Sequence, residues 1–167
     1  MLRAREMFDS DRNPQVREAI PDSAQRRADS LPISLRTVLV VEDFTPFRRF
    51  ICTLLGTQSH LQVIGEAADG SIAVQKAQEL KPDLILLDIG LPTLDGLECA
   101  RRIRRLTAES RIIFVSQESS ADVVQEALNL GSAYVPKTKI ASELLAAVES
   151  VLAGSGVCWN HLVDVAT

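Results

Sequence analysis

Five polar positions in this chain carry residue types that could do chemistry together: Glu42-Asp43, Asp88, Ser116 and Lys137. Each directly follows or ends a short apolar run. If those runs are strands of a parallel sheet, three carboxylates, a hydroxyl and an ammonium converge at one edge, where such sheets gather functional groups. Clustered carboxylates repel and need a cation. Hard oxygen ligands with few protein contacts suit Mg²⁺. The lysine adds a positive charge where a phosphoryl oxygen could sit. Taken singly, each residue has a plainer explanation. Asp43 could cap a helix beginning near Thr45-Pro46, Ser116 could cap a helix after Ser119, and Lys137 could be a surface charge. The joint placement, each at its own strand end, is much harder to explain as capping.

The elements that must position these residues are legible as alternating patterns. The apolar runs are Val38-Leu39-Val40-Val41, Leu61-Gln62-Val63-Ile64, Leu84-Ile85-Leu86-Leu87, Ile112-Ile113-Phe114-Val115 and Ala133-Tyr134-Val135. Uninterrupted runs of this length suit strands covered on both faces. Between them, Phe47, Phe50, Ile51, Leu54 and Leu55 form a helical stripe, as do Ala141, Leu144, Leu145, Val148 and Leu152. Weaker stripes run over Ile72–Leu80, Leu97–Leu106 and Val123–Leu130. Asp69-Gly70 and Asp95-Gly96 could signal hairpins, but helical patterns follow both, so they predict helix starts. The expected fold is α/β: a doubly wound (βα)5 five-stranded parallel sheet with helices on both faces.

Composition limits the alternatives. The chain has 167 residues, of which 46% are apolar, enough for one domain with appendages. No apolar run approaches the ~20 residues of a membrane span, and no signal-peptide pattern opens the chain. The net charge of −4 gives no bulk attraction to nucleic acid. Cys52, Cys99 and Cys158 are scattered and odd in number, as expected of free thiols in a cytoplasmic protein. Residues 1–34 hold six arginines against six acidic residues, three prolines and few aliphatics. Such a segment reads as a mostly disordered leader, with a transient helix before Pro21, or as the product of a mis-assigned start codon. Residues 35–154 form the expected domain, and 155–167 a short apolar tail containing Trp159.

Three motifs resemble the response-regulator receiver family, of which the chemotaxis response regulator is a familiar member. They are Val40-Val41-Glu42-Asp43-Phe44 with Arg48-Arg49, the stretch from Asp88 to Gly96, and Ala133-Tyr134-Val135-Pro136-Lys137. The resemblance covers about Arg36 to Gly154 and implies a flavodoxin-like strand order 2-1-3-4-5. Val63-Ile64-Gly65-Glu66-Ala67, and Lys137 without a following proline, are similar to the NarL/FixJ subgroup. Those proteins usually attach a LuxR-type helix-turn-helix after a linker, and this chain ends where that linker would begin.

By this resemblance Asp88 is the phosphoacceptor for a sensor histidine kinase or phosphotransfer protein. Asp43, Asp88 and the Gly90 carbonyl would hold Mg²⁺, with Glu42 acting through water. Lys137 would pair with Asp88 or a phosphoryl oxygen, Ser116 would hydrogen-bond the phosphoryl group, and Tyr134 would turn inward to report it. An output protein would dock on the face of the fourth helix, fifth strand and fifth helix, with homodimerisation there a further option and no specific DNA binding. Departures from the commonest pattern are Gly90, two residues after Asp88, Glu118, two after Ser116, and Thr138, where proline is frequent.

Other signals are weaker. His60 and His161 lack strand-end partners, so the phosphodonor must be another protein. Cys158-x-x-His161 is half a zinc pattern. Arg101-Arg102-Ile103-Arg104-Arg105 suits a solvated face, then a docking patch, then DNA. No phosphate-cradling P-loop is present. The leading expectation is a stand-alone receiver that catalyses chemistry only on its own aspartate. One rival is a transcription regulator truncated before its DNA-binding domain, which a helix-turn-helix reading frame downstream of Thr167 would establish. The other is an aspartate-nucleophile phosphohydrolase of similar architecture.

Overall fold

The computed structural model describes residues 34–154. The expected leader, its transient helix, and the tail with Cys158, Trp159 and His161 lie outside the described residues. Within them the chain alternates strictly. The strands are β1 Arg36–Val41, β2 Leu61–Ala67, β3 Leu84–Leu87, β4 Arg111–Ser116 and β5 Ala133–Pro136. The helices are α1 Thr45–Gly56, α2 Gly70–Leu80, α3 Gly96–Leu106, α4 Ala121–Leu130 and α5 Ile140–Leu152, and a 3-10 turn, Lys137–Lys139, precedes the last of them. All strand pairs are parallel, in the order β2-β1-β3-β4-β5. The expected (βα)5 fold and its strand order are therefore both observed.

Successive strand residues point to opposite faces, and each face builds its own core. Val38, Val40, Leu84, Leu86, Ile113 and Val115 pack with Ile51 and Leu55 of α1 and Leu144 and Val148 of α5. Leu39, Val41, Ile85, Leu87, Ile112 and Phe114 pack with small residues of α2 and α3 and with Ala127 of α4. This double coverage is why the central runs are apolar without interruption.

The two Asp-Gly pairs start helices. Asp69 caps α2 by accepting the N–H groups of Ser71 and Ile72, and Asp95 caps α3 by accepting those of Leu97 and Glu98. Helices α2, α3 and α4 begin one or two residues before their apolar stripes, because the helical backbone starts ahead of the first apolar side chain. Strand β2 runs three residues past its expected end. Its pairing with β1 shifts register between Val38 and Leu39, which breaks the alternation a sequence reading relies on.

At the opposite edge of the sheet from the acidic residues, Asp83 ties β1 to β3. Its carboxylate accepts the N–H and the hydroxyl of Thr37, both at 2.8 Å, and Nη1 of Arg36 at 3.2 Å. Asp83 N–H returns a bond to the Thr37 hydroxyl at 3.0 Å. Burial pushes the Asp83 carboxyl up, but the bonds from Thr37 and Arg36 outweigh it and hold the group below its ordinary value of 3.8. A lowered carboxyl pKa stabilises the fold above the ordinary value, and that contribution is lost as the pH falls through the lowered one. Asp83→Ala should therefore cost about 1–3 kcal/mol at pH 7, with the gap to wild type narrowing in acid. Urea unfolding at the two pH values measures it.

Candidate functional site

At the carboxyl edge of the sheet, β1 delivers Glu42 and Asp43, β3 delivers Asp88, β4 delivers Ser116 and β5 delivers Lys137. All five open onto one cleft of about 990 Å³. Glu42 is 1% exposed and Asp88 4%, and Ser116 is also buried. The carboxylate oxygens of Glu42, Asp43 and Asp88 lie within 4.8 Å of one another. Lys137, its side chain 12% exposed, places Nζ 2.8 Å from Asp88 Oδ2 and 3.0 Å from Glu42 Oε1. The same Nζ stands 5.0 Å above the ring of Phe47.

The plainer explanations fail at each position. The α1 N-cap is Phe44 and the α4 N-cap is Ser120, neither with a side-chain capping bond. Asp43 therefore caps nothing there, and Ser116 Oγ instead accepts the N–H of Glu118 at 3.1 Å. It is Glu118 that closes the turn into α4, accepting the N–H groups of Ser119 and Ser120, each at 2.9 Å. Lys137 is an interior ion-pair partner of two carboxylates.

The electrostatics point to an incomplete site. Burial raises the Glu42 carboxyl, and the hydrogen bond from Lys137 offsets only part of that. Burial lowers the Lys137 ammonium, but its bonds to Asp88 and Glu42 more than compensate and raise it. The two shifts are consistent, because one ammonium shared between two buried carboxylates is over-satisfied while Glu42 is under-satisfied. Glu42 Oε2 lies 2.7 Å from Nζ, yet no hydrogen bond is aligned with it. Three carboxylates and one ammonium leave a formal charge of −2, which a divalent cation would cancel. An all-oxygen donor set carrying that net negative charge fits a hard cation such as Mg²⁺.

The surrounding backbone is tightly fixed. Gly90 N–H donates to Asp88 Oδ1 at 3.1 Å. A Cβ on Gly96 would lie 2.1 Å from the Asp88 carbonyl oxygen, so only glycine fits where α3 starts beneath the acidic cluster. Arg48 donates from Nη1 to the Glu42 carbonyl at 2.6 Å and from Nε to Glu66 at 3.0 Å, pinning the loop after β1 to β2. The Tyr134 hydroxyl donates to the Glu118 carbonyl and the ring is buried.

Sequence reasoning assigned no site role to Phe47, which was legible only as part of the α1 core stripe. It also missed the bond from Arg101 of α3 to Glu126 of α4, both of which line the cleft. Arg101 and Arg102 also pair with Glu98. Half of the basic run is therefore spent on internal ion pairs. His60 lies away from the cluster and pairs with Glu149 at 2.6 Å. Cys52 and Cys99 are free thiols. No described helix is long and apolar enough to cross a membrane.

Comparison with known proteins agrees with the geometry. The family model described as "Response regulator receiver domain" matches residues 38–149. The chain is 36% identical over 121 residues to the response regulator protein VraR of Staphylococcus aureus, covering 72% of this chain and 58% of VraR. The fold is similar to the response regulator domain of Thermotoga maritima CheB, with TM-score 0.66, 34% identity, and 71% and 97% of the two chains covered. It is also similar to a LuxR-family two-component response regulator from Aurantimonas, with TM-score 0.69, 30% identity, and 72% and 87% covered. The matched segment spans 56–58% of the length of the curated relatives.

Proposed function

The chain belongs to the response regulator receiver domain family, and from that premise we propose that Asp88 accepts a phosphoryl group from a histidine kinase or phosphotransfer protein. The observation that carries this reading is the buried Asp88 carboxylate, held 2.8 Å from Lys137 inside a three-carboxylate cluster. A carboxylate oxygen of Asp88 attacks the phosphorus of a phosphohistidine. The new O–P bond forms as the N–P bond breaks, and the electron pair leaves on the imidazole. Lys137 moves its charge from the Asp88 carboxylate to a phosphoryl oxygen, and the Ser116 hydroxyl donates to another. Asp43, Asp88 and the Gly90 carbonyl would hold Mg²⁺, with Glu42 behind them through water. When bound, the cation supplies charge that neutralises the transferring phosphoryl oxygens. Intact-mass measurement after incubation with acetyl phosphate and Mg²⁺ tests the reading: one added phosphoryl mass is expected, and no addition overturns it.

Glu118 supports a route for the signal. Its N–H bonds Ser116 and its carbonyl takes the Tyr134 hydroxyl, so drawing Ser116 toward a phosphoryl group pulls on a residue that Tyr134 also holds through the next peptide. The phosphoryl group adds roughly two negative charges at that point. The output face is then α4, β5 and α5, where a partner protein or a second receiver would dock. Residues 35–154 form the functional unit, flanked by appendages 1–34 and 155–167. A second reading, the receiver part of a NarL/FixJ-type transcription regulator, draws support from the partial span of the curated relatives.

The metal assignment makes its own prediction. Asp43 is exposed to the cleft while Glu42 is already bound to Lys137. Removing a direct carboxylate ligand lowers both charge and ligand number. Asp43→Ala should therefore weaken Mg²⁺ binding more than Glu42→Gln does, by calorimetric titration. Equal affinity in wild type and Asp43→Ala would count against the assignment.

A further inference from the structure

Lys137 has neighbours of two kinds. Its Nζ bonds Asp88 Oδ2 at 2.8 Å and Glu42 Oε1 at 3.0 Å, and it also stands over the Phe47 ring, 5.0 Å from the centroid. A ring face attracts a cation through its quadrupole but offers no lone pair. It therefore holds an ammonium in place without fixing the direction of any N–H. Carboxylates hold more strongly, but only along their hydrogen bonds.

The ring is fixed from several sides. Phe47 lies in the first turn of α1, next to Pro46, whose backbone suits a helix start. It packs against the core cluster shared by the strands, α1 and α5. Its ring is paired with that of Phe50, the centroids 6.2 Å apart and the planes tilted by 32°. Arg48, the next residue, donates from Nη1 to the Glu42 carbonyl at 2.6 Å and the Asp43 carbonyl at 3.4 Å. The turn that carries the ring is thus tied to the loop that carries two of the carboxylates. Of the apolar stripe on α1, Phe47 is the member that lines the cleft.

The two kinds of neighbour differ in what the reaction does to them. Transfer of a phosphoryl group to Asp88 takes that carboxylate away from Lys137. Binding of a divalent cation would share all three carboxylates with it. Neither event engages the face of Phe47. An ammonium held by carboxylates alone would then be free to turn toward water, to which the Lys137 side chain is already 12% exposed. We propose that Phe47 is a positioning residue for phosphoryl uptake, its ring face keeping the Lys137 ammonium over the cleft while the carboxylates are engaged elsewhere. The inference rests on the receiver reading and adds to it a residue that acts through Lys137.

The test uses the full chain. Phe47→Leu keeps an apolar side chain in the α1 stripe and removes the ring. Phosphoryl uptake from acetyl phosphate, timed by intact mass, should slow about fivefold, the size a desolvated cation–π contact supports. Mg²⁺ affinity by calorimetry should rise by a similar factor, because the ammonium then yields the carboxylates more readily. A packing defect would weaken both, and that result overturns the proposal. Fluorinated phenylalanines at position 47 keep the shape of the ring and withdraw charge from its face. Uptake should slow in step as one, two and three fluorines are added, and a flat series with normal wild-type uptake overturns the proposal alone. Lys137 is one of four lysines in the sequence, so its side chain can be followed by NMR after carbon-13 lysine labelling. The protons next to Nζ should be shifted upfield by the ring in the wild type, and this shift should vanish in Phe47→Leu and persist when Mg²⁺ is added to the wild type. A shift that Mg²⁺ abolishes would mean that the ammonium leaves the ring, which also overturns the proposal. Absence of uptake by the wild type is a separate result, and it overturns the receiver reading itself.

Discussion

Asp88→Asn is expected to abolish phosphoryl uptake and, in the absence of divalent cation, to raise the unfolding temperature by a few degrees. The first effect follows from chemistry: an amide is not a nucleophile toward phosphorus, and no other carboxylate in the cleft pairs with Lys137 at the same depth except Glu42. The second follows from a balance of charges. Asp88 has one attractive neighbour, Lys137 at 2.8 Å, and two repulsive ones, Glu42 and Asp43, with oxygens within 4.8 Å. At an effective dielectric constant near 20, the attraction is roughly 6 kcal/mol and the two repulsions together roughly 7. Those terms nearly cancel, so the burial of Asp88 tips the sum toward the neutral amide. Lys137 keeps Glu42 as its partner in the variant, so no ammonium is stranded. Saturating Mg²⁺ should erase the advantage, because it binds the wild-type cluster and stabilises it by mass action. Intact mass and thermal unfolding with and without Mg²⁺ check both parts. Labelling that survives the substitution would move the acceptor to another residue.

The residues that carry this balance were legible because the topology rule does the placing. A parallel sheet built from five apolar runs sends whatever follows each run to a single edge, so Glu42, Asp43, Asp88, Ser116 and Lys137 could be grouped without knowing any distance. Helix starts at Asp69 and Asp95 were legible for a related reason: capping is local chemistry, and the stripe after each aspartate excludes a hairpin. Contacts that depend on tertiary proximity left no such trace. The pairing of Arg101 with Glu126 joins two helices separated by a strand. The Asp83–Thr37 staple joins a residue of β1 to the residue just before β3, and neither follows any period. Thr93, between β3 and α3 with φ +66°, is the extreme case. Its left-handed backbone would have been sought at a glycine or asparagine, and a threonine in that place conceals the turn. Phe47 was assigned correctly to the α1 stripe, but one side of a core residue can also face a buried ammonium, which periodicity alone does not show.

Removing the ammonium itself should have the other large effect. Lys137→Met keeps the length and apolar stem of the side chain and removes the one positive charge that, among the described residues, is bonded to Glu42 and Asp88. The raised pKa of Lys137 keeps it charged at neutral pH, its stabilising contribution lost only as the pH climbs through the raised value, above the ordinary lysine range. Stripping one partner from a buried pair typically costs about 3–5 kcal/mol, and here two carboxylates lose their partner at once. Glu42, raised by burial even with Lys137 present, should then rise further and take up a proton. A carboxyl whose folded pKa lies above its unfolded one binds protons more tightly in the native state. Stability should accordingly be best retained in acid and fall as the pH rises from the ordinary carboxylate value through the raised one. The variant should bind Mg²⁺ more tightly than wild type, because the cation no longer competes with an ammonium for the same oxygens, and Mg²⁺ should restore much of the lost stability. Phosphoryl uptake should nevertheless slow markedly, since Lys137 is the side-chain cation placed to follow the charge from Asp88 onto the transferred group. Denaturant titrations from pH 4 to pH 8 with and without Mg²⁺, paired with calorimetry, separate these effects. Unchanged Mg²⁺ affinity in Lys137→Met would mean that ammonium and metal ion do not share the carboxylates, and the electrostatic account of the site would fall with it.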